Sequence, residues 1–149
     1  MSLEQQINDA IKVAMKAKQE AELRALRGIK SAILLAKTEK GGNDDLSSET
    51  EIKLLTKLVK QRKDSLSIYE QQGREDLAVK EREEIAVIER YLPQQMSEAD
   101  IKTALQDLIA QSGATSAKDM GKVMGLANKA LAGRADGKLI ATLVKELLQ

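Results

Sequence analysis

The sequence predicts an all-α protein: four helices, a short linker, then three more, with residues 1–93 as an N-terminal helical domain and 94–149 as a C-terminal three-helix domain. Three observations carry that expectation. Apolar residues recur three and four positions apart along nearly the whole chain, no stretch alternates apolar with polar for long enough to make a strand, and helix-forming Leu, Ala, Ile, Lys, Glu and Gln dominate. A chain of 149 residues suffices for one domain or two small ones, and folding at that size buries about 68–70% of the unfolded surface.

The first helix is marked by Leu3, Ile7, Ala10, Ile11 and Ala14, the second by Leu26, Ile29, Ile33 and Ala36. "EKGGNDDLSS" (Glu39 to Ser48) then interrupts with glycine and turn-forming residues, and its tip is expected to be mobile. A third helix runs from about Glu49 to Gln72, burying Ile52, Leu55, Val59, Leu66 and Tyr69, with Gly73 placed to end it in the left-handed conformation. The fourth, about Glu75 to Tyr91, turns Leu77, Ile85, Ile88 and Leu92 inward and stops at Pro93, which pushes the residue before it out of helical angles.

"PQQMS" (Pro93 to Ser97) is the expected boundary. Beyond it, Ser97 with Asp100 and Ser116 with Asp119 match a hydroxyl residue followed three positions later by an acid, so a helix is expected to start at each. Ile101, Leu105, Leu108 and Ile109 face the first of these, which ends at Gly113. Met120, Val123, Met124, Ala127 and Leu131 face the next, which ends at Gly133, and Ile140, Leu143, Val144 and Leu147 face the last.

Absent residues exclude whole classes of chemistry. With no Cys there is no disulfide, thiolate metal site or cysteine nucleophile, and with no His the usual general base near neutral pH and the commonest transition-metal ligand are gone. Tyr69 and Tyr91 are the only aromatics, which disfavours binding of single strands by stacked bases. The opening "MSLEQQINDAIK" lacks the basic patch and apolar run of a secretion signal, and no span approaches the roughly 20 apolar residues of a membrane helix, so a cytoplasmic protein with no membrane partner is expected. No cofactor and no metal are implied. A net charge of +1 does not advertise a polyanion partner, although charge can be clustered locally.

Among the motifs, "GRADGK" (Gly133 to Lys138) raises the sharpest question. It is not a P-loop, which needs four residues between its glycines, Ser or Thr after the lysine, and a preceding strand. A helix-to-helix turn accounts for much of it: Gly133 past one helix end, Asp136 capping the next, Gly137 in its first turn. Arg134 and Lys138 are not explained that way. A lysine in a first turn opposes the helix dipole, whereas an anion docked there would meet amides and two cations, and a helix start can serve both purposes at once.

Lys53, Lys57 and Lys60, with Arg62 and Lys63 close by, recur along the third helix and could track a phosphate backbone; a solvated face with Asp64 partly neutralising Lys60 is the simpler account. Gly121 and Gly125 share a helix side, where close approach of a neighbouring backbone is expected, with Met120 and Met124 as core filler. Glu81, Glu83, Glu84 and Glu89 read as surface charge paired with Arg82 and Arg90 rather than a metal site, and Ser65 has no partner base. No catalytic residue is assigned.

Taken together, "KQRKDSLSIYEQQGREDLAVKEREEIAVIERYLPQQMS", "DMGKVMG" and "GRADGK" resemble the GatB/YqeY family across essentially the whole chain, as a free-standing member. The resemblance implies two helical bundles, of four and three helices. In larger relatives the domain is the C-terminal tail of the B subunit of tRNA-dependent amidotransferases, which is understood to contact tRNA away from the reaction centre. The resemblance therefore also implies a tRNA-binding accessory protein, with Arg134, Lys138 and Gly137 at the contact and Lys122 as a weaker candidate. The family's carbon–nitrogen ligase chemistry, with glutamine as amido donor, does not carry over, because this chain has only the tail-like part and is not a complete enzyme. The alternative is a helical interaction module docking on an amidotransferase or an aminoacyl-tRNA synthetase.

Overall fold

The computed structural model describes residues 1–41 and 44–149. They form α1 (Leu3–Lys16), α2 (Glu20–Glu39), α3 (Ser48–Gln71), α4 (Glu75–Glu89), α5 (Glu98–Ser112), a 3-10 turn (Ala117–Asp119), α6 (Met120–Ala130) and α7 (Gly137–Leu147), with no strand among the described residues. The chain is all-α, as the apolar spacing predicts. The expected mobile tip of the α2–α3 loop falls on Gly42 and Asn43, which lie outside the described residues.

Backbone contacts divide the chain into two compact units, Met1–Leu92 and Pro93–Gln149. In the first, α1 packs on α2, α3 on α4, and α2 on α4. Its core is built from one stripe per helix: Leu3, Ile7 and Ala14; Ala25, Leu26, Ile29 and Ile33; Leu55 and Val59; Ile85, Val87 and Ile88. Each large aliphatic side chain fully withdrawn from water there contributes about 1.5–3 kcal/mol before chain entropy is set against it. Ile52, Leu66, Tyr69, Leu77 and Leu92, expected in the core, are only half-buried.

The helix ends show why the chain breaks where it does. Ser2 and Gln5 close a reciprocal capping box on α1, and Ser47 accepts from Thr50 N–H at 3.2 Å on α3. Gly73, at φ +69°, turns the end of α3 so that Arg74 N–H reaches back to the Tyr69 carbonyl at 2.8 Å. Between α1 and α2 no glycine is available, and Lys18 itself takes the left-handed conformation (φ +55°). The fourth helix ends at Glu89, two residues before Tyr91. Arg90, Tyr91 and Leu92 tighten into bonds to carbonyls three residues back, the geometry left to a helix about to meet proline.

In the second unit α5, α6 and α7 surround Ile101, Leu105, Val123, Ala127, Leu131, Ile140, Leu143, Val144 and Leu148. Ser97 caps α5 by accepting from Asp100 N–H at 3.1 Å, and Gly113 (φ +75°) ends it. At Ser116 the outcome differs from the expected helix start. Ser116 caps only the 3-10 turn, the Asp119 carboxylate accepts from Thr115 N–H at 3.0 Å, and α6 begins at Met120. Gly133 (φ +74°) lies within the α6–α7 turn, after the helix has already ended at Ala130.

Candidate functional site

The α6–α7 turn is held by the segment that opens the second unit. Met96 N–H donates to the Arg134 carbonyl at 2.9 Å, Gln95 Nε2 to the Gly133 carbonyl at 2.6 Å, and Arg134 Nε to the Gln94 carbonyl at 3.3 Å. "PQQMS" and "GRADGK" therefore form one hydrogen-bonded corner. Arg134, Gly137 and Lys138 are exposed, and neither cation is in an ion pair among the described residues. The helix start itself is occupied: Asp136 caps α7 through a bond from Lys138 N–H to its Oδ1 at 3.3 Å. An anion at this corner would be met by the Arg134 and Lys138 side chains, with the Asp136 charge opposing it.

Lys122 stands near the start of α6, and its Nζ donates to the Ser112 carbonyl at 3.2 Å, capping the C-terminal end of α5. Its position is therefore explained in part by helix-end electrostatics. Lys122 lies in the first turn of α6 and Leu131 is its C-cap, so Lys122 is separated from the turn by roughly 13 Å along the helix axis. Lys53, Lys57 and Lys60 belong to the first unit. Lys53 pairs with Glu49 at 3.3 Å, and the neighbouring Arg62 and Lys63 with Glu84 and Glu89 at 3.7 and 3.8 Å. Lys60 and Asp64 form no ion pair among the described residues.

Charge is deployed differently in the two units. Every ion pair among the described residues lies in the first. In the second, cations and anions are segregated along the chain. Lys118, Lys122, Lys129, Arg134, Lys138 and Lys145 fall between the 3-10 turn and the end of α7, against Asp119, Asp136 and Glu146. Two of those three acids accept from backbone N–H groups, Asp119 from Thr115 and Asp136 from Lys138. By contrast α5 carries Glu98, Asp100 and Asp107 against Lys102.

Two expectations need correcting. Gly121 and Gly125 do not mediate close packing: a Cβ built at either would meet nothing within 4 Å, and both face solvent. The α4 glutamates pair, but with other arginines than expected. Glu83 and Glu84 meet Arg24, Glu84 also meets Arg62, Arg82 turns to Glu75 and Glu70, and Arg90 to Glu22. Glu81 has no ion-pair partner among the described residues; burial, then the Glu84 carboxylate, push it above the usual carboxylate range.

Arg62, named from the sequence only as a neighbour of the basic run on α3, joins three helices of the first unit. Arg62 on α3 donates to the Leu58 carbonyl at 3.3 Å, reaches Glu84 on α4, and its guanidinium lies 3.1 Å from the position a Cβ would take at Gly28 on α2. Its Nε is buried without a hydrogen-bond partner among the described residues. The network supports the bundle.

The chain matches the family described as Yqey-like protein over residues 4–148. It is 34% identical over 118 residues to "Altered inheritance of mitochondria protein 41, mitochondrial" of Vanderwaltozyma polyspora, covering 74% of this chain and 62% of that protein. The proteins of the same name from Meyerozyma guilliermondii and Clavispora lusitaniae are 34% and 39% identical, over 78% and 55% of this chain and 61% and 46% of their own length. The chain thus spans less than two thirds of these relatives. With a match running through both helical units, from the first turn of α1 to the residue after α7, the chain belongs to the Yqey-like protein family.

Proposed function

We propose that this protein is a tRNA-binding accessory protein whose second unit meets the phosphate backbone through Arg134 and Lys138, with Gly137 between them and Lys122 as a secondary contact. The observation that supports it is the segregation of charge: basic side chains without ion-pair partners gather on the α6–α7 half of the second unit, while the first unit neutralises much of its charge internally. With only two tyrosines in the chain, recognition rests on phosphates, 2′-hydroxyls and shape. Ligase chemistry using glutamine is not proposed for this chain. As to location, no helix among the described residues is long and apolar enough to cross a membrane, and the relatives are named as mitochondrial.

The test is binding of unmodified tRNA across a salt series, comparing the parent with an Arg134→Glu, Lys138→Glu double variant. The parent should bind at low salt and weaken steeply as salt rises; the double variant should bind more weakly with a shallower slope. No binding by the parent at low salt defeats the proposal, and equal binding by both removes the corner as the site.

A second reading is favoured by a different observation. Val13, Met15, Leu34, Leu35, Ile68 and Val79 are exposed in the first unit, whereas the second exposes only Leu126 among large apolar side chains of the described residues. The first unit is then the part that docks on an amidotransferase or aminoacyl-tRNA synthetase. Co-elution of the first unit's surface variant Val13→Lys, Leu34→Lys with such an enzyme, undiminished from the parent, would exclude it.

A further inference from the structure

The outer side of α6 carries, besides Lys122, features that the proposed tRNA contact does not use. Lys122, Gly125 and Lys129 follow one another at steps of three and four residues, the spacing of a single helix face, with Lys118 in the 3-10 turn that leads into the helix, and all four are exposed. Lys122 and Lys129 are two turns apart, about 10.5 Å along the axis. No carboxylate occurs anywhere in α6. Glycine in an exposed helix interior weakens the helix, and here no neighbouring atom fills the space a Cβ would occupy at Gly121 or Gly125, so internal packing gives no reason for either.

We propose that this face of α6 is a docking strip for the sugar–phosphate backbone of a structured RNA, with the lysines as phosphate contacts and Gly125 as the point where the backbone comes closest to the helix. The inference rests on the tRNA-binding function proposed for the corner and extends it from Lys122 along α6, adding Lys118, Gly125 and Lys129. An acidic protein partner is the less favoured occupant. Protein interfaces are depleted in lysine and anchored by aromatic and arginine side chains, and this strip offers lysine, glycine and one half-exposed leucine, Leu126. A phosphodiester backbone needs cations at intervals and room to approach, and both are present. Lys122 is also fixed in place by its bond to the Ser112 carbonyl, so one cation at the head of the strip is already positioned.

The decisive experiment measures unmodified tRNA binding at low salt together with thermal stability for Gly125→Gln, a Lys118→Gln, Lys129→Gln double variant, and the Arg134→Glu, Lys138→Glu corner variant. Gly125→Gln is expected to raise Tm, because a side chain replaces an exposed helical glycine, and yet to weaken tRNA binding several-fold. Loss of binding then cannot come from loss of fold. The lysine double variant should weaken binding and reduce the salt slope by about 1 per lysine removed. If Gly125→Gln and the lysine variant bind as the parent does while the corner variant does not, the strip is overturned and the corner contact stands. If the parent binds no tRNA, both fall. Should poly-glutamate of matched charge displace tRNA as effectively as an RNA duplex, the strip is a receptor for acidic chains and its assignment to RNA is wrong.

Discussion

The backbone N–H of Met96 donates to the carbonyl of Arg134 at 2.9 Å, joining the first residues of the second unit to the turn between its last two helices. Gln95 adds a side-chain bond to the Gly133 carbonyl at 2.6 Å. The turn bearing Arg134 is therefore braced by a segment about forty residues away, in addition to its own bond from Arg134 N–H to the Leu131 carbonyl at 3.0 Å. Gln95→Ala should lower the stability of the second unit by about 1 kcal/mol, the net worth of one such bond. Hydrogen exchange at the Met96 amide should quicken. Unchanged exchange there would show that the brace is not what holds the turn.

Asp136 stabilises α7 as its cap and places a negative charge beside Arg134 and Lys138. These two effects have opposite consequences for an RNA-binding corner. Asp136→Ala should cost about 1 kcal/mol in a denaturant melt, as loss of a capping side chain does. The same change should tighten tRNA binding by about 0.3–1 kcal/mol, roughly twofold to fivefold at low salt, by removing repulsion at the helix start. Stability and affinity moving down together would argue against phosphate contact at this corner.

The helices were legible in the sequence because burial repeats with the helical period: Ile7, Leu26, Ile29, Ile33, Leu55, Ile88, Leu105 and Val144 all lie inside, where the three-four spacing puts them. Gly73 and Gly113 were legible as helix ends because only residues tolerant of positive φ are cheap there. What could not be read depends on contacts distant in sequence. Nothing local to Gln95 announces its bond to Gly133, and nothing local to Arg62 announces its place between Gly28 and Glu84. Gly121 and Gly125 show the limit most clearly. Spacing says that two glycines share a face, but whether that face meets a neighbouring helix or open solvent is decided by tertiary packing.

The α1–α2 turn offers a direct measure of backbone strain. Lys18 adopts φ +55° to let Gln19 N–H reach the Ala14 carbonyl at 3.0 Å, a conformation that costs an ordinary L-residue about 1–2 kcal/mol. Lys18→Gly relieves that cost but loosens the unfolded chain, so a net gain of about 1 kcal/mol is expected. Equilibrium unfolding in urea reads it directly. A loss of stability would mean that the lysine side chain makes a compensating contribution in the folded state.

Glu81 makes stability depend on pH with a sign opposite to that of its neighbours on α4. Burial, followed by repulsion from Glu84, raises its folded pKa, while Arg62 and Arg24 act against the rise. The folded protein thus binds this proton more tightly than the unfolded chain does. The resulting stabilisation is fully present below the unfolded value, about 4.3, and is lost as pH rises through the folded value. Asp76 and Glu75 behave in the reverse sense: hydrogen bonds from Arg74 and Arg82 hold them below their usual range, so their contribution is present above the unfolded values and disappears as pH falls through the folded ones. Those two contributions are common to parent and variant and cancel in a difference. Glu81→Gln should therefore raise Tm at pH 7, and the gain should shrink toward zero below about pH 4, where the carboxyl is protonated in both states. Thermal melts of the two proteins at matched pH test this. A gain that persists undiminished in acid would show that Glu81 acts on stability through packing rather than through its charge.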